Sequence, residues 1–458
     1  MLRAHSIERN NIMARRTNRR SFLKASALTG VGYWVAARSQ PAFAKSPNEK
    51  LNIAGVGVGG QGAGDLANMA GENIVALCDV DENRAGGTFE KFPKAKRYND
   101  YRKLFDEMAD KVDAVVVATP DHMHAPISML AMSLGKHVYC EKPLTHTVGE
   151  ARRMAKMAAD KKLVTQMGNQ GHSNPGSRSS VEIIQSGDLG EIKEVHCWSD
   201  RPMGWWPQGV DRPTDKQDIP KGLHWDDWLG VAPERPYNEA YLPFKWRGWW
   251  DFGTGAMGDM ACHVCDIAFW SLDLRDPTSI DCEVSGLHAE TAPLWSRIVW
   301  EFPKRGKLPP IKLHWYDGGQ QPSKDLFEGE EIRGNGSLFV GTKGKLYSPD
   351  PYGASYILLP RAEFKDYKPP KQTLPRLAEG FSHHTDWLRC VKAGDQNLAS
   401  LSNFGYAGAM TEVLLLGNLS VRTGKRIEWD AKNLKVTNVS EANAFIDPPY
   451  RKGWELAI

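Results

Sequence analysis

From position 51 onward, short continuous apolar runs alternate with stretches in which apolar residues recur every three to four positions. The apolar runs 51–56, 74–78, 112–118, 137–140 and 163–167 predict strands buried on both faces. The periodic stretches 63–69, 83–91, 100–108, 126–135 and 147–161 predict helices with one apolar face. Strand and helix in alternation predict an α/β fold, an N-terminal doubly wound parallel sheet of Rossmann type covered on both sides. Farther along, 407–422 reads as a helix and 425–429 as a strand. The aromatic-rich end of the tail between Trp387 and Trp454 is a candidate to pack back on the first domain.

Candidate chemistry first enters where the first run ends, at Gly55-Val56-Gly57-Val58-Gly59-Gly60-Gln61-Gly62-Ala63-Gly64. The Gly-x-Gly-x-x-Gly fingerprint fits as Gly55, Gly57, Gly60 or as Gly57, Gly59, Gly62. The second reading is preferred, because it leaves six residues of strand before the turn and opens directly into a helix expected from Ala63. Glycines there let the backbone approach a pyrophosphate, which rests on free N–H groups at a helix N-terminus; Gln61 lies within the same turn. Such a turn also serves packing alone, so Asp79 matters: it closes the second strand 22 residues after Gly57. A carboxylate there accepts hydrogen bonds from a ribose diol and repels a 2′-phosphate, which favours NAD over NADP. The competing role for Asp79 is a helix N-cap, with Asp81 nearby. Two further strand ends carry polar residues at the edge where such sheets bind ligands: Thr119-Pro120-Asp121-His122 and Glu141-Lys142-Pro143. Lys142 there is either a proton partner for a substrate hydroxyl or half of a surface ion pair.

Composition bounds the rest. The 458 residues give room for two or three domains, and 41% hydrophobic with 25% charged residues is the balance of an ordinary globular chain. The formal charge of +3 is concentrated at the start, where residues 1–44 hold eight Lys or Arg and one acid. Setting them aside leaves 50 bases against 54 acids, so no polybasic field remains for a nucleic acid or an anionic membrane surface. Residues 1–44 read as an export signal: a basic stretch, thirteen uncharged residues at 25–37, and Ala42-Phe43-Ala44 as a cleavage site. The apolar stretch is too short for a stable membrane span. Arg19-Arg20-x-Phe22-Leu23-Lys24 resembles the twin-arginine signal, whose machinery passes folded proteins, so the expected location is the periplasm or otherwise outside. Residues 1–44 are therefore expected to be a signal and 45–170 a dinucleotide-binding domain. Seven cysteines are an odd number without a dense framework, and Cys262-x-x-Cys265 lacks a second pair at zinc spacing. No spacing among the histidines predicts a metal site.

The glycine fingerprint, Ala118-Thr119-Pro120-Asp121-His122 and Val138-Tyr139-Cys140-Glu141-Lys142-Pro143 occur in the order and spacing of the Gfo/Idh/MocA oxidoreductases, which this chain resembles after Lys45. The resemblance implies that 171–458 is a substrate-binding α/β domain with an open, mainly antiparallel sheet, and that the protein is a homo-oligomer, dimer or tetramer. It implies that Lys142 is catalytic and that Asp259-x-x-x-His263 is the second domain's catalytic pair. On a helix, i and i+4 place Asp259 and His263 on one face, though a buried His satisfied by a carboxylate has the same spacing. By analogy His122, Asn169 and His172 line the cleft. Nine of sixteen Trp fall between Trp198 and Trp270, and Trp205, Trp206, Trp249 and Trp250 with Arg201 are candidate substrate contacts, ordinary core packing being the alternative. Asp211, Arg212 and Arg247 in that stretch bind substrate or form ion pairs.

The resulting expectation is reversible hydride transfer between NAD and a secondary hydroxyl of a sugar or polyol. His263 would take the hydroxyl proton, Lys142 would steady the oxyanion, and Asp259 would orient His263 or hold a neighbouring hydroxyl. The periplasm has no replenished NAD pool, which calls for a tightly held cofactor recycled within each cycle. An NAD-assisted glycosidase or epimerase with no net redox is the first alternative, and a non-catalytic sugar-binding protein with structural NAD the second.

Overall fold

Every residue of the apolar run Ala114–Val117 is buried, so its strand has both faces covered, and the rest of the first sheet assembles around it. The computed structural model describes residues 49–398 and 401–455; the export-signal reading concerns residues outside these. In chain order the first layer is β1 (Asn52–Val56), α1 (Gln61–Asn68), β2 (Asn73–Cys78), α2 (Glu82–Lys91), β3 (Lys96–Tyr98), α3 (Tyr101–Met108), β4 (Ala114–Val117), α4 (His124–Ser133), β5 (His137–Cys140), α5 (Val148–Asp160) and β6 (Thr165–Met167). The strands pair in parallel in the order β3-β2-β1-β4-β5-β6. That order reverses direction between β1 and β4, and this is where doubly wound sheets open a crevice at their carboxyl ends. The pattern missed β3: Lys96-Arg97-Tyr98 is a short, charged edge strand, the kind that resists further pairing and lacks an apolar run. Helix α1 begins at Gln61, two residues earlier than the periodicity suggests, because small residues carry no apolar signal.

The second layer begins after α6 (Pro175–Ser186) with β7 (Ile192–Trp198), followed by α7 (Trp225–Leu229), α8 (Gly255–Val264) and α9 (Asp266–Leu272). Then come β8 (Ser279–Val284), β9 (Ser296–Phe302), β10 (Ile311–Tyr316), β11 (Gly336–Gly341), β12 (Lys345–Ser348) and β13 (Ile357–Leu359). Helices α10 (His383–Ala393) and α11 (Phe404–Thr423) precede β14 (Ile427–Asp430) and β15 (Lys435–Val436). These strands form one nine-stranded sheet, β13-β12-β11-β7-β10-β9-β8-β14-β15. Its pairs are antiparallel except β7 with β10, which run parallel. Val195, Cys197, Leu313 and Trp315 turn one face of this sheet into the same apolar core as Met257 and Ala261 of α8 and Leu416 of α11.

The late helices return to the first sheet. Trp387 of α10 is fully buried in a cluster with Leu51, Ile53 and Val116, and its Nε1 donates to the Val164 carbonyl at 3.4 Å. Helix α11 lies against α5, where the Arg152 guanidinium grips both Glu412 oxygens. At the end of the chain Trp454 packs beside Tyr101, with the Arg102 guanidinium 3.9 Å over its ring. Among the described residues no helix is long and apolar enough to cross a membrane.

Candidate active site

The glycine turn after β1 folds as it does because two positions admit no side chain. Gly57 takes φ +78°, and a Cβ there would meet the Ala118 carbonyl at 2.7 Å; a Cβ on Gly62 would collide with the Gly57 carbonyl oxygen. Gly57 thus makes the turn and Gly62 seats α1 against it, while Gly59 and Gly60 line a cavity of about 560 Å³. Gly55 lies inside β1, so Gly57, Gly59 and Gly62 are the fingerprint. The first turn of α1 has neither a capping side chain nor an acid, which leaves its N–H groups available to an anion. Arg84 of α2 reaches over Gly60 and forms no ion pair among the described residues. A bare glycine loop, open helix amides and a free guanidinium fit a dinucleotide's pyrophosphate.

Asp79 closes this end of the cavity, but its carboxylate is already engaged. One oxygen accepts from the Val58 and Gly59 N–H groups at 2.8 and 2.9 Å, and the other from Asp81 N–H at 3.0 Å. Burial raises its pKa despite those bonds. The N-cap of α2 is Asp81, which accepts from Asn83 and Arg84, so Asp79 holds the glycine loop instead of capping a helix. Asn99, just after β3, also lines this end and donates to the Asp79 carbonyl at 3.0 Å.

The other end is built from side chains of both layers. Lys142, at the carboxyl end of β5, donates from Nζ to the Asp259 carbonyl and to Asp259 Oδ1, each at 2.9 Å. Arg247 Nε donates to the same Oδ1 at 3.0 Å. Burial alone would push the Lys142 ammonium down; Asp259 outweighs it, and the group titrates above its ordinary value. Burial likewise opposes ionisation of Asp259, yet Lys142 and Arg247 hold its carboxyl well below the usual carboxylate range. One α8 turn later His263 lines the same recess, edge-on to Tyr352 at 4.9 Å between ring centroids. Burial, then the Lys142 charge, push its pKa to about 3, and its Nδ1 has no hydrogen-bond partner. The recess therefore holds a fixed ammonium and a neutral imidazole. Of the two roles expected of Asp259, orienting His263 by a hydrogen bond is corrected: none joins them, and Oδ1 is held by Lys142 and Arg247, while the role of holding a neighbouring substrate hydroxyl stays open. Glu141 sits beneath, accepting from Gln170 Nε2 at 3.2 Å, with burial pushing its pKa well up.

Thr119, Pro120, Glu141, Lys142, Gln61, Arg201 and Trp205 line the cavity. His122 does not: the chain turns inward at Asp121, and the His122 ring nitrogens face the Phe252 and Trp228 carbonyls at 3.2 and 3.1 Å. With the Thr254 hydroxyl bonded to Asp121 at 2.6 Å, this turn locks the two layers together. Asn169 is buried under Ser402, and His172 is buried against the Asp266 carboxylate at 2.8 Å and stacked on Trp270 at 3.9 Å. Three tryptophans also leave the substrate set. Trp206 is buried with its Nε1 on Gln208, Trp249 donates to the Ala240 carbonyl inside an aromatic core, and Trp250 lines a separate cavity with His122 and His146. Arg212 is paired with Glu290, and Asp211 is exposed. Sequence reasoning missed Arg84, Asn99, Gln170, Trp246 and Tyr352, and gave Arg247 no more than a choice of roles. Asn99 follows the strand that the pattern overlooked, and Tyr352 comes from the β12–β13 connection with no local motif. Cys262 and Cys265 are buried free thiols, the first pushed up to about 12 by burial.

The family model described as "Oxidoreductase family, NAD-binding Rossmann fold" matches residues 50–169, and "Oxidoreductase family, C-terminal alpha/beta domain" matches residues 181–456. The chain belongs to the Gfo/Idh/MocA oxidoreductase family. Within it, inositol 2-dehydrogenase of Salmonella typhimurium is 33% identical over 152 residues, 32% of this chain and 44% of that protein. A glycosyl hydrolase family 109 protein of Shewanella pealeana is 25% identical over 223 residues, 43% of this chain and 49% of that one. The matches therefore span under half of these curated relatives. The WlbA dehydrogenase of Bordetella pertussis, solved with NADH and UDP-GlcNAcA, shares the fold at a TM-score of 0.57, with 18% identity over 83% of this chain and 99% of that one. The Gfo/Idh/MocA assignment accounts for the two layers and makes NAD the cofactor that the glycine-loop end accommodates.

Proposed function

We propose that this protein is an exported oxidoreductase that moves a hydride between NAD and a secondary hydroxyl of a sugar or polyol, with the cofactor held and restored within each cycle. The observation that carries the reading is the His263 imidazole, its Nδ1 without a partner, in the same recess as the Lys142 ammonium, which Asp259 holds in place together with Arg247. Gly57, Gly59, Gly60, Arg84 and Asp79 would hold the dinucleotide, and bound NAD supplies a reversible hydride acceptor. His263 accepts the hydroxyl proton, a task for which it must be uncharged. Lys142 holds the developing oxyanion, and it stays charged because Asp259 lies against it. Trp205, Trp246 and Phe244 at the rim offer apolar surface to the C–H face of a sugar ring, and Arg201 and Arg247 offer donors to its hydroxyls.

The Arg19-Arg20 signal supports export, and export supports the closed cycle. A second reading, in which a transient ketone activates elimination before the hydride returns, is favoured by similarity to the glycosyl hydrolase family 109 protein. The deciding experiment denatures the purified protein and identifies what is released. Stoichiometric dinucleotide is expected, and sugars offered singly and in pairs should then change its reduced absorbance band. Sugar cleavage without lasting reduction of the dinucleotide would select the second reading. An empty protein with weak affinity for added NAD overturns the closed cycle. Full turnover in both His263→Gln and Lys142→Met would overturn the site.

A further inference from the structure

The second sheet carries a cluster that the cleft does not use. On β7, Glu194 and His196 are two residues apart and share a face; on the parallel strand β10, His314 stands in register with His196. This is the face opposite Val195 and Cys197, so it points away from α8. The two imidazoles stack at 4.6 Å between centroids with their planes 17° apart. His196 Nε2 lies 3.6 Å from one Glu194 oxygen, and His314 Nε2 lies 3.7 Å from the other. Both distances are too long for hydrogen bonds, and both Nε2 atoms are buried without a partner. Glu194 has no Lys or Arg partner among the described residues. His196 Nδ1 sits 3.0 Å from the Tyr316 hydroxyl, and the tautomer that donates to this oxygen leaves Nε2 bare for a ligand.

We infer that Glu194, His196 and His314 form a binding site for a divalent transition metal, with zinc as its best-fitting occupant. Two imidazole nitrogens and one carboxylate oxygen are a ligand set zinc takes with a fourth position left to water. Zinc–ligand bonds of about 2.0–2.1 Å put neighbouring donors of a tetrahedron about 3.4 Å apart. Each imidazole Nε2 lies within a few tenths of an ångström of that from one of the two Glu194 oxygens, and one donor atom from each residue can be chosen so that all lie within 4.8 Å of one another. Binding would draw the three side chains together by rotation about their own side-chain bonds. The metal would pin the sheet's one parallel junction, between strands more than a hundred residues apart in sequence.

The test uses the full chain without a histidine tag, stripped with chelator and dialysed. Zinc chloride is then added in a calorimeter and in thermal unfolding. One equivalent bound below about 10 µM with a rise in Tm is expected, since a ligand of the folded state raises stability by mass action. His196→Ala and His314→Ala should each weaken binding at least tenfold while NAD binding is retained. Should either variant fail to fold, Glu194→Gln, at a half-exposed position, carries the same expectation. Zinc binding that survives these substitutions, or no binding at 100 µM zinc, overturns the site.

Discussion

The two ends of the cleft are made of different material. The glycine-loop end is shaped first by atoms that are absent: Gly57 and Gly62 exclude side chains, and the surface offered is mostly backbone, with one engaged carboxylate and the Arg84 and Asn99 side chains at its edge. The lysine end is shaped by atoms that are present, with Lys142, Arg247 and Asp259 locked in one network beside His263. The first should fail when something is added, the second when something is removed.

The largest effect should come from removal. Lys142→Met takes away the ammonium that holds the oxyanion, and kcat should fall by about 10³-fold, in the range of losing one preorganised donor. The released dinucleotide should remain stoichiometric, which single-turnover kinetics and denaturation of the variant would check together. Loss of the cofactor from Lys142→Met would mean that the two ends are not separable. Addition comes next: Gly57→Val forces a branched side chain into φ +78° and against the Ala118 carbonyl. The free loop is expected to relax out of that strain and clash, so NAD must restore it, and a cost of about 3 kcal/mol implies roughly 10²-fold weaker NAD binding. Calorimetry would read this, and kcat at saturating NAD should change far less.

The same contrast explains what could be read from the chain. The glycine-loop end was legible because its parts are local: a strand, a glycine-rich turn, and a carboxylate at the next strand end lie within 30 residues. Lys142, Asp259 and His263 were legible through a resemblance; the residues alone left an ion pair or a satisfied core histidine equally open. Arg247 and Tyr352 come to the recess through the packing of separate elements, which no window of sequence contains. The tryptophan-rich stretch misled for a related reason. Composition announces aromatic surface but not which way each ring faces, and Trp249 faces a core of Trp225, Trp228, Tyr241 and Phe252.

Asp259→Asn sharpens the comparison through pH. In the wild type Lys142 titrates above its ordinary value, so its charge persists past pH 10 and should give no basic limb below that. Without the Asp259 charge, burial and the Arg247 cation both push the ammonium down. The variant's rate should fall about tenfold at neutral pH and show a new decline at alkaline pH. On the acid side His263 must be neutral to act, and with its pKa near 3 the wild type should keep its rate as pH drops through 6.5. An acid limb near 6.5 in kcat/KM, absent from His263→Gln, would mean that the imidazole is far better solvated than its burial implies.

The smallest effect on turnover separates tryptophans that look alike in sequence. Trp205 is half exposed at the cleft rim, with the Arg201 guanidinium 3.5 Å over its ring, whereas Trp249 is buried to 1% exposure and bonded to the Ala240 carbonyl. Trp205→Ala should raise KM by a few-fold with Tm nearly unchanged, since only a contact at the rim is lost. Trp249→Ala should cost about 3–5 kcal/mol of stability, the range for truncating a buried aromatic, and leave KM near wild type while the protein stays folded. Thermal unfolding and saturation kinetics on both variants give a two-by-two pattern. If Trp249→Ala shifts KM more than Trp205→Ala does, the aromatic core is part of the substrate recess, and the division between a backbone-built end and a side-chain-built end must be redrawn to include what supports the second.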